Sequence, residues 1–209
     1  MTPAHPSDSP EPGRRTVLRA AALLAAVVPL AACSAVEDPL AKQAREGDNK
    51  NYIAGDGSVQ EYAAESRGEP VRLTGTLYDG TDIDSSAWVG RVTVLNFWYA
   101  ACAPCRVEAP HLVELYEEFQ DQGVDFLGVN VRDQKATAEA FERNFKIPYP
   151  SAPDTTGSIL MGLTQYVNPR AVPTTLVLDK QGRVAARVLG AIEKSTLKTL
   201  IADRVAEPA

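Results

Sequence analysis

The chain has 209 residues, a formal net charge of −6 and 44 % hydrophobic residues, with three cysteines and two histidines. That length allows one domain with a sizeable core. The acidic balance, without a basic patch, a stacking platform or zinc-finger spacing, argues against a nucleic-acid binder.

Residues 1–13 are rich in Pro, Ser and Asp and read as disordered. Arg14, Arg15 and Arg19 then precede an apolar run of 13 residues, Ala20 to Ala32. A permanent spanning helix needs roughly 17 to 25 residues, so the run has the length and flanks of a secretory signal, against the alternative of a buried N-terminal helix. Leu30-Ala31-Ala32-Cys33 resembles the lipobox of bacterial lipoproteins, which makes residues 1–32 the expected signal peptide and Cys33 the lipidated first residue. Arg14-Arg15-Thr16-Val17-Leu18-Arg19 resembles a twin-arginine signal, with Val17 where that motif more often has Phe. Cleavage after Ala32 would remove three arginines together with Asp8 and Glu11, leaving 177 residues at a charge of −7. Two or more acyl chains on Cys33 would hold the protein firmly to a membrane.

Residues 33–58 are polar and read as a spacer, and 59–209 as the folded domain. Residues 59–66 suggest an edge element. Val71, Leu73 and Leu77, the Asp79-Gly80 turn and Ile83 suggest an N-terminal hairpin. Trp88 to Arg91 turn into Val92-Thr93-Val94-Leu95-Asn96-Phe97-Trp98, an apolar run with the mark of a strand covered on both faces. A helix is expected over 103–122, with Leu112, Leu115, Tyr116 and Phe119 on one side and Gly123 as a left-handed cap. Strand 124–131, helix 134–145, a turn bracketed by Pro148 and Pro150, and a short helix within 155–163 follow. Strands 174–179 and 184–189 join through a Gln181-Gly182 turn, and a helix runs from about Glu193 to Val205. The order implies an α/β fold: a central mixed sheet with helices on both faces, a parallel crossover, and an antiparallel final pair.

The chemistry gathers at Cys102-Ala103-Pro104-Cys105, where the central strand meets its helix. A C-x-x-C beside a βα unit is a redox signal. Cys102 stands at the helix N-terminus, where unpaired amides and the helix field favour a thiolate, and Cys105 lies one turn in on the same face. Cys102 is expected to be the exposed nucleophile and Cys105 the more buried resolving thiol. A structural disulfide is the alternative, but so short a loop restrains little unfolded-state entropy. One cysteine pair with His5 and His111 is not a convincing zinc set, so no metal is expected. Arg106 reads as a solvent-facing residue.

The stretch from Asn96 to Pro110, with Val172-Pro173-Thr174-Thr175 and Gly190, resembles the membrane-associated thioredoxin-like proteins of the TlpA and ResA type, from about Leu73 to the C-terminus. The resemblance implies a thioredoxin-like fold and dithiol–disulfide exchange through a redox-active Cys102–Cys105 disulfide, with no other cofactor. It implies a cis bond before Pro173, with Val172, Pro173 and Trp98 shaping the substrate groove. Glu108 matches an acidic residue near the pair, where a carboxylate raises thiol pKa values; the plainer reading is a helix-surface glutamate. Asn96 stands where cytoplasmic thioredoxins have a buried Asp. Ala101 stands where many relatives have Trp, which reduces the groove wall.

The function so implied is reduction of disulfides in exported proteins at the extracytoplasmic face of a bacterial cell membrane. Apocytochrome c would be a client, and a membrane transporter of the CcdA or DsbD kind the electron donor. The competing readings are a disulfide oxidase or isomerase, and a thioredoxin-like binding module without turnover. A peroxidase would require a peroxidatic cysteine in a pocket lined by Thr and Arg, which the sequence does not suggest.

Overall fold

The computed structural model describes residues 57–168 and 170–208. The expected signal peptide, Cys33 and all but the last two residues of the expected spacer lie outside them. Among the described residues there are eight strands: β1 (Val59–Glu61), β2 (Thr74–Thr76), β3 (Asp82–Asp84), β4 (Val92–Trp98), β5 (Val124–Asn130), β6 (Ser151–Pro153), β7 (Thr174–Leu178) and β8 (Val184–Leu189). Four α-helices accompany them in the same residues: α1 (Ala103–Phe119), α2 (Lys135–Phe145), α3 (Ser158–Met161) and α4 (Lys194–Ala206). The main sheet has the order β1-β8-β7-β4-β5-β6, and β2 and β3 form a separate hairpin. Strand β4 is central, parallel to β5 and antiparallel to β7. The mixed sheet, the parallel crossover and the antiparallel final pair are as the sequence implies.

Period-two alternation explains why every residue of β4 is buried. Val92 and Val94 pack with Leu112, Leu115, Leu197 and Ile201 on the face covered by α1 and α4. Leu95 and Phe97 pack on the other face with Ile159 of α3, Leu163 and Leu176, and Ile83 of the hairpin borders this cluster. Trp98, at the end of β4, meets Phe141 of α2 at a ring separation of 4.5 Å. The helices therefore lie on both faces, the three long ones on one face and the short α3 with the hairpin on the other.

Helix α1 ends at Phe119, sooner than expected. A 3-10 turn over Gln120–Gln122 completes the segment before Gly123, which takes φ 77° as the left-handed cap. Strand β6 begins directly after Pro150, where the sequence suggests only a turn. It pairs in parallel with β5, and its Ser151 carbonyl accepts from the Tyr78 N–H at 3.2 Å.

Candidate active site

Cys102 caps α1. It has extended backbone dihedrals, and its sulfur accepts from the Cys105 N–H at 3.2 Å. Pro104 follows in the first turn, where a missing amide hydrogen costs nothing. The two sulfurs are bonded, with Cα atoms 5.3 Å apart. The Val172–Pro173 peptide is cis, and the Val172 carbonyl oxygen lies 3.9 Å from the Cys102 sulfur. The Pro173 carbonyl accepts from the Gly190 N–H at 2.8 Å, which ties this loop to the turn after β8.

One expectation is corrected here. Cys102 is not exposed: its exposure is 0 %, against 2 % for Cys105. The covering comes from Tyr99 and from Val172, which pack with both cysteines in one apolar cluster. In this disulfide form the nucleophile is reached only where that cover moves. Trp98 is likewise interior, at 4 % exposure, and lines a small cavity beside Cys105 instead of an open groove wall.

Glu108 is not a surface residue. It is 1 % exposed and faces the sheet one turn after Cys105. Its Oε1 accepts from Asn96 Nδ2 at 2.8 Å, and its Oε2 accepts from the Ile192 N–H at 3.1 Å. The same Asn96 nitrogen donates to Thr175 Oγ1 at 3.1 Å. Burial pushes the carboxyl up from an ordinary 4.5 to about 8, although both hydrogen bonds favour the ionised form. A signal for this was available. Glu108 stands four, seven and eleven residues before Leu112, Leu115 and Phe119, on the same inward stripe of α1.

Several neighbours escaped sequence reasoning. Asp133 accepts from the Ala100 N–H at 2.6 Å and from Asn130 Nδ2 at 2.9 Å, which fixes the loop entering Cys102. The Arg132 guanidinium lies 4.4 Å from the Tyr99 ring. Arg106 is solvent-facing as expected, but it also stacks 5.1 Å from the Phe145 ring and donates to the Ala100 carbonyl at 3.4 Å. Ala101 is exposed between them. A surface groove of about 410 Å3 runs past Pro104, Ile192 and Thr196.

Residues 69–187 match the AhpC/TSA family. Over 109 residues the chain is 37 % identical to the thiol-disulfide oxidoreductase ResA of Geobacillus thermodenitrificans, covering 52 % of this chain and 60 % of that one. Over 119 residues it is 31 % identical to ResA of Bacillus subtilis, covering 57 % and 64 %. The matched segment thus spans less than two thirds of these relatives. A secreted thiol-disulfide isomerase from Corynebacterium glutamicum superposes with a TM-score of 0.64 at 32 % identity, over 75 % of this chain and 97 % of that one. A DsbF homologue from Corynebacterium diphtheriae gives 0.62 at 33 %, over 71 % and 94 %. The fold is thioredoxin-like, and the chain belongs to the AhpC/TSA family, with ResA proteins among its relatives.

Proposed function

We propose that this chain is an extracytoplasmic thiol-disulfide oxidoreductase that reduces disulfides in exported proteins. The observation that carries the reading is the Cys102–Cys105 pair at the N-terminus of α1, under the cis Val172–Pro173 loop. In the reduced protein the Cys102 sulfur attacks a client disulfide. The Cys105 N–H and the helix field stabilise the negative sulfur there. Cys105 then attacks Cys102, reforms the internal disulfide and releases the client thiol. Glu108, when ionised, opposes thiolate formation at its neighbours. That suits a selective reductant.

The fuller reading adds a lipid anchor at Cys33, a client such as the heme-binding cysteines of apocytochrome c, and electrons from a membrane transporter of the CcdA or DsbD kind. The lipobox-like sequence supports the anchor, and the likeness to ResA supports an exported location. An oxidase or isomerase is the second reading, favoured by the likeness to the Corynebacterium glutamicum isomerase. The reduction potential of the Cys102–Cys105 couple separates the two. A value near or below about −250 mV supports the reductant, and one near about −120 mV supports an oxidase. Full activity in Cys102→Ser and Cys105→Ser variants would instead indicate a binding module without turnover.

A further inference from the structure

We propose that Ser151 and Glu142 form a proton-exchange route for Cys105, entered through the cavity behind that cysteine. The inference rests on dithiol–disulfide exchange at the pair.

The cavity measures about 10 Å3 and is lined by Cys105, Asn96, Trp98, Tyr149 and Ser151 among others. That is about the volume one water molecule needs, and the lining supplies polar partners for it. Ser151 is part of that lining. The residue is 5 % exposed, and its hydroxyl makes no hydrogen bond among the described residues. Buried hydroxyls are rarely left so, because nothing replaces the hydration they lose. The group it can donate to is the Glu142 carboxyl, whose ionised form a Ser151 hydrogen bond favours. The Tyr78 hydroxyl is buried and unpartnered in the same sense. Ser151 therefore joins the cavity lining to Glu142 of α2, which is half-buried.

Glu108 is a poorer exit for this proton. Both of its oxygens already accept hydrogen bonds from Asn96 and Ile192. Around Glu142 the charged and titratable groups are Lys135, Glu139 and Arg143 on its own helix, Tyr78 from the hairpin side and Tyr149 from the approach to β6. Burial raises the Glu142 carboxyl above its ordinary value, against the Ser151 hydrogen bond, which lowers it.

With Cys102 joined to a client sulfur, the Cys105 S–H proton passes through a cavity water to the Ser151 oxygen, and the Ser151 proton passes to Glu142. The electron pair left on Cys105 forms the bond to Cys102. The Cys102–client bond breaks, and the client sulfur leaves with its electron pair as a thiolate. The cysteine pair is oxidised, the client is reduced, and Glu142 returns its proton to solvent.

The test is stopped-flow reaction of the reduced protein with an aryl disulfide that releases a coloured thiolate. The second release reports resolution by Cys105 alone, because that leaving group needs no proton. Ser151→Ala and Glu142→Gln should each slow this phase about tenfold or more at pH 7 and lose the solvent isotope effect. Both should recover toward the parent rate near pH 10, where hydroxide takes the proton directly. A parent-like profile in both variants overturns the route, as does an equal loss at every pH, which marks a structural role. Should Ser151→Ala fail to fold, Glu142→Gln decides alone. Absence of any second release from the unsubstituted chain overturns both the route and the exchange reading beneath it.

Discussion

Replacing Glu108 by Gln removes a titration while nearly preserving shape. In the native protein the carboxyl is pushed up to about 8 because it is fully buried, against an ordinary 4.5 that serves as the unfolded value. Between those two values the native state holds a proton that the unfolded chain has released. Stability from this group is therefore fully present below about pH 4.5 and is lost as pH rises toward 8. At about 1.4 kcal/mol per pH unit the loss is on the order of 5 kcal/mol. The Gln variant has no such slope. Its amide nitrogen must face either the Ile192 N–H or the Asn96 amide, donor against donor, a cost of about 1–3 kcal/mol at every pH. That cost is a constant offset, so the difference in slope between the two proteins comes from the Glu108 titration alone. Carboxylates held below their ordinary values, such as Asp179 and Glu207, titrate at the acid end in both proteins and cancel in the difference. Urea unfolding of the oxidised proteins from pH 5 to 9 gives that difference. The variant should gain several kcal/mol on its parent across the range. Two curves that run parallel from pH 5 to 8 would refute the buried-carboxyl reasoning.

Cys105→Ser should accumulate a mixed disulfide between Cys102 and a disulfide-bearing client, seen as a mass increase that reductant reverses. Gly128→Ala should cost about 1–3 kcal/mol, because the added Cβ would run into the Ser151 hydroxyl and lie 2.8 Å from Trp98 Nε1; the cost should shrink when Ser151 is also Ala, as a double-mutant cycle of denaturant midpoints would record. Arg67→Met should destabilise by about 3 kcal/mol with little salt dependence, because the Arg67 side chain is 2 % exposed and bonded to Asp179 at 2.9 Å and Glu207 at 2.6 Å. Thermal melts at low and high salt check that, and a loss abolished by salt would place the pair in solvent.

The parts of the fold legible in the sequence are those whose cause is local. The run from Val92 to Trp98 announces a doubly covered strand, and the stripe from Leu112 to Phe119 announces the helix behind the cysteines. The Gly123 cap and the hairpin turn are set by residues a few positions apart. Strand β6 has no such signal. Three residues after a proline carry no period, and their strand character comes from β5 and from Tyr78, far away in sequence. The burial of Cys102 is hidden for the same reason. Helix position suggests an accessible sulfur, but its cover includes Val172, 70 residues on. The Ser151 and Glu142 pair was invisible because neither residue is unusual until the sheet brings them together.

Glu108 falls between these cases, and it shows how the sheet sets the chemistry. Its place on the inward stripe of α1 was readable, but what it meets there was not. The register of β4 against β7 places Asn96 opposite Thr175. That pairing holds the Asn96 amide between Thr175 Oγ1 and the Glu108 carboxyl. A slip of one residue would present Leu95 or Phe97 instead, since successive side chains alternate between faces. Glu108 would then be buried with the Ile192 N–H as its single remaining donor of the two seen here, and its proton would be held more tightly still. The ionisation of a carboxyl three residues from Cys105 is therefore fixed by a strand register, which the same apolar alternation that builds the core specifies.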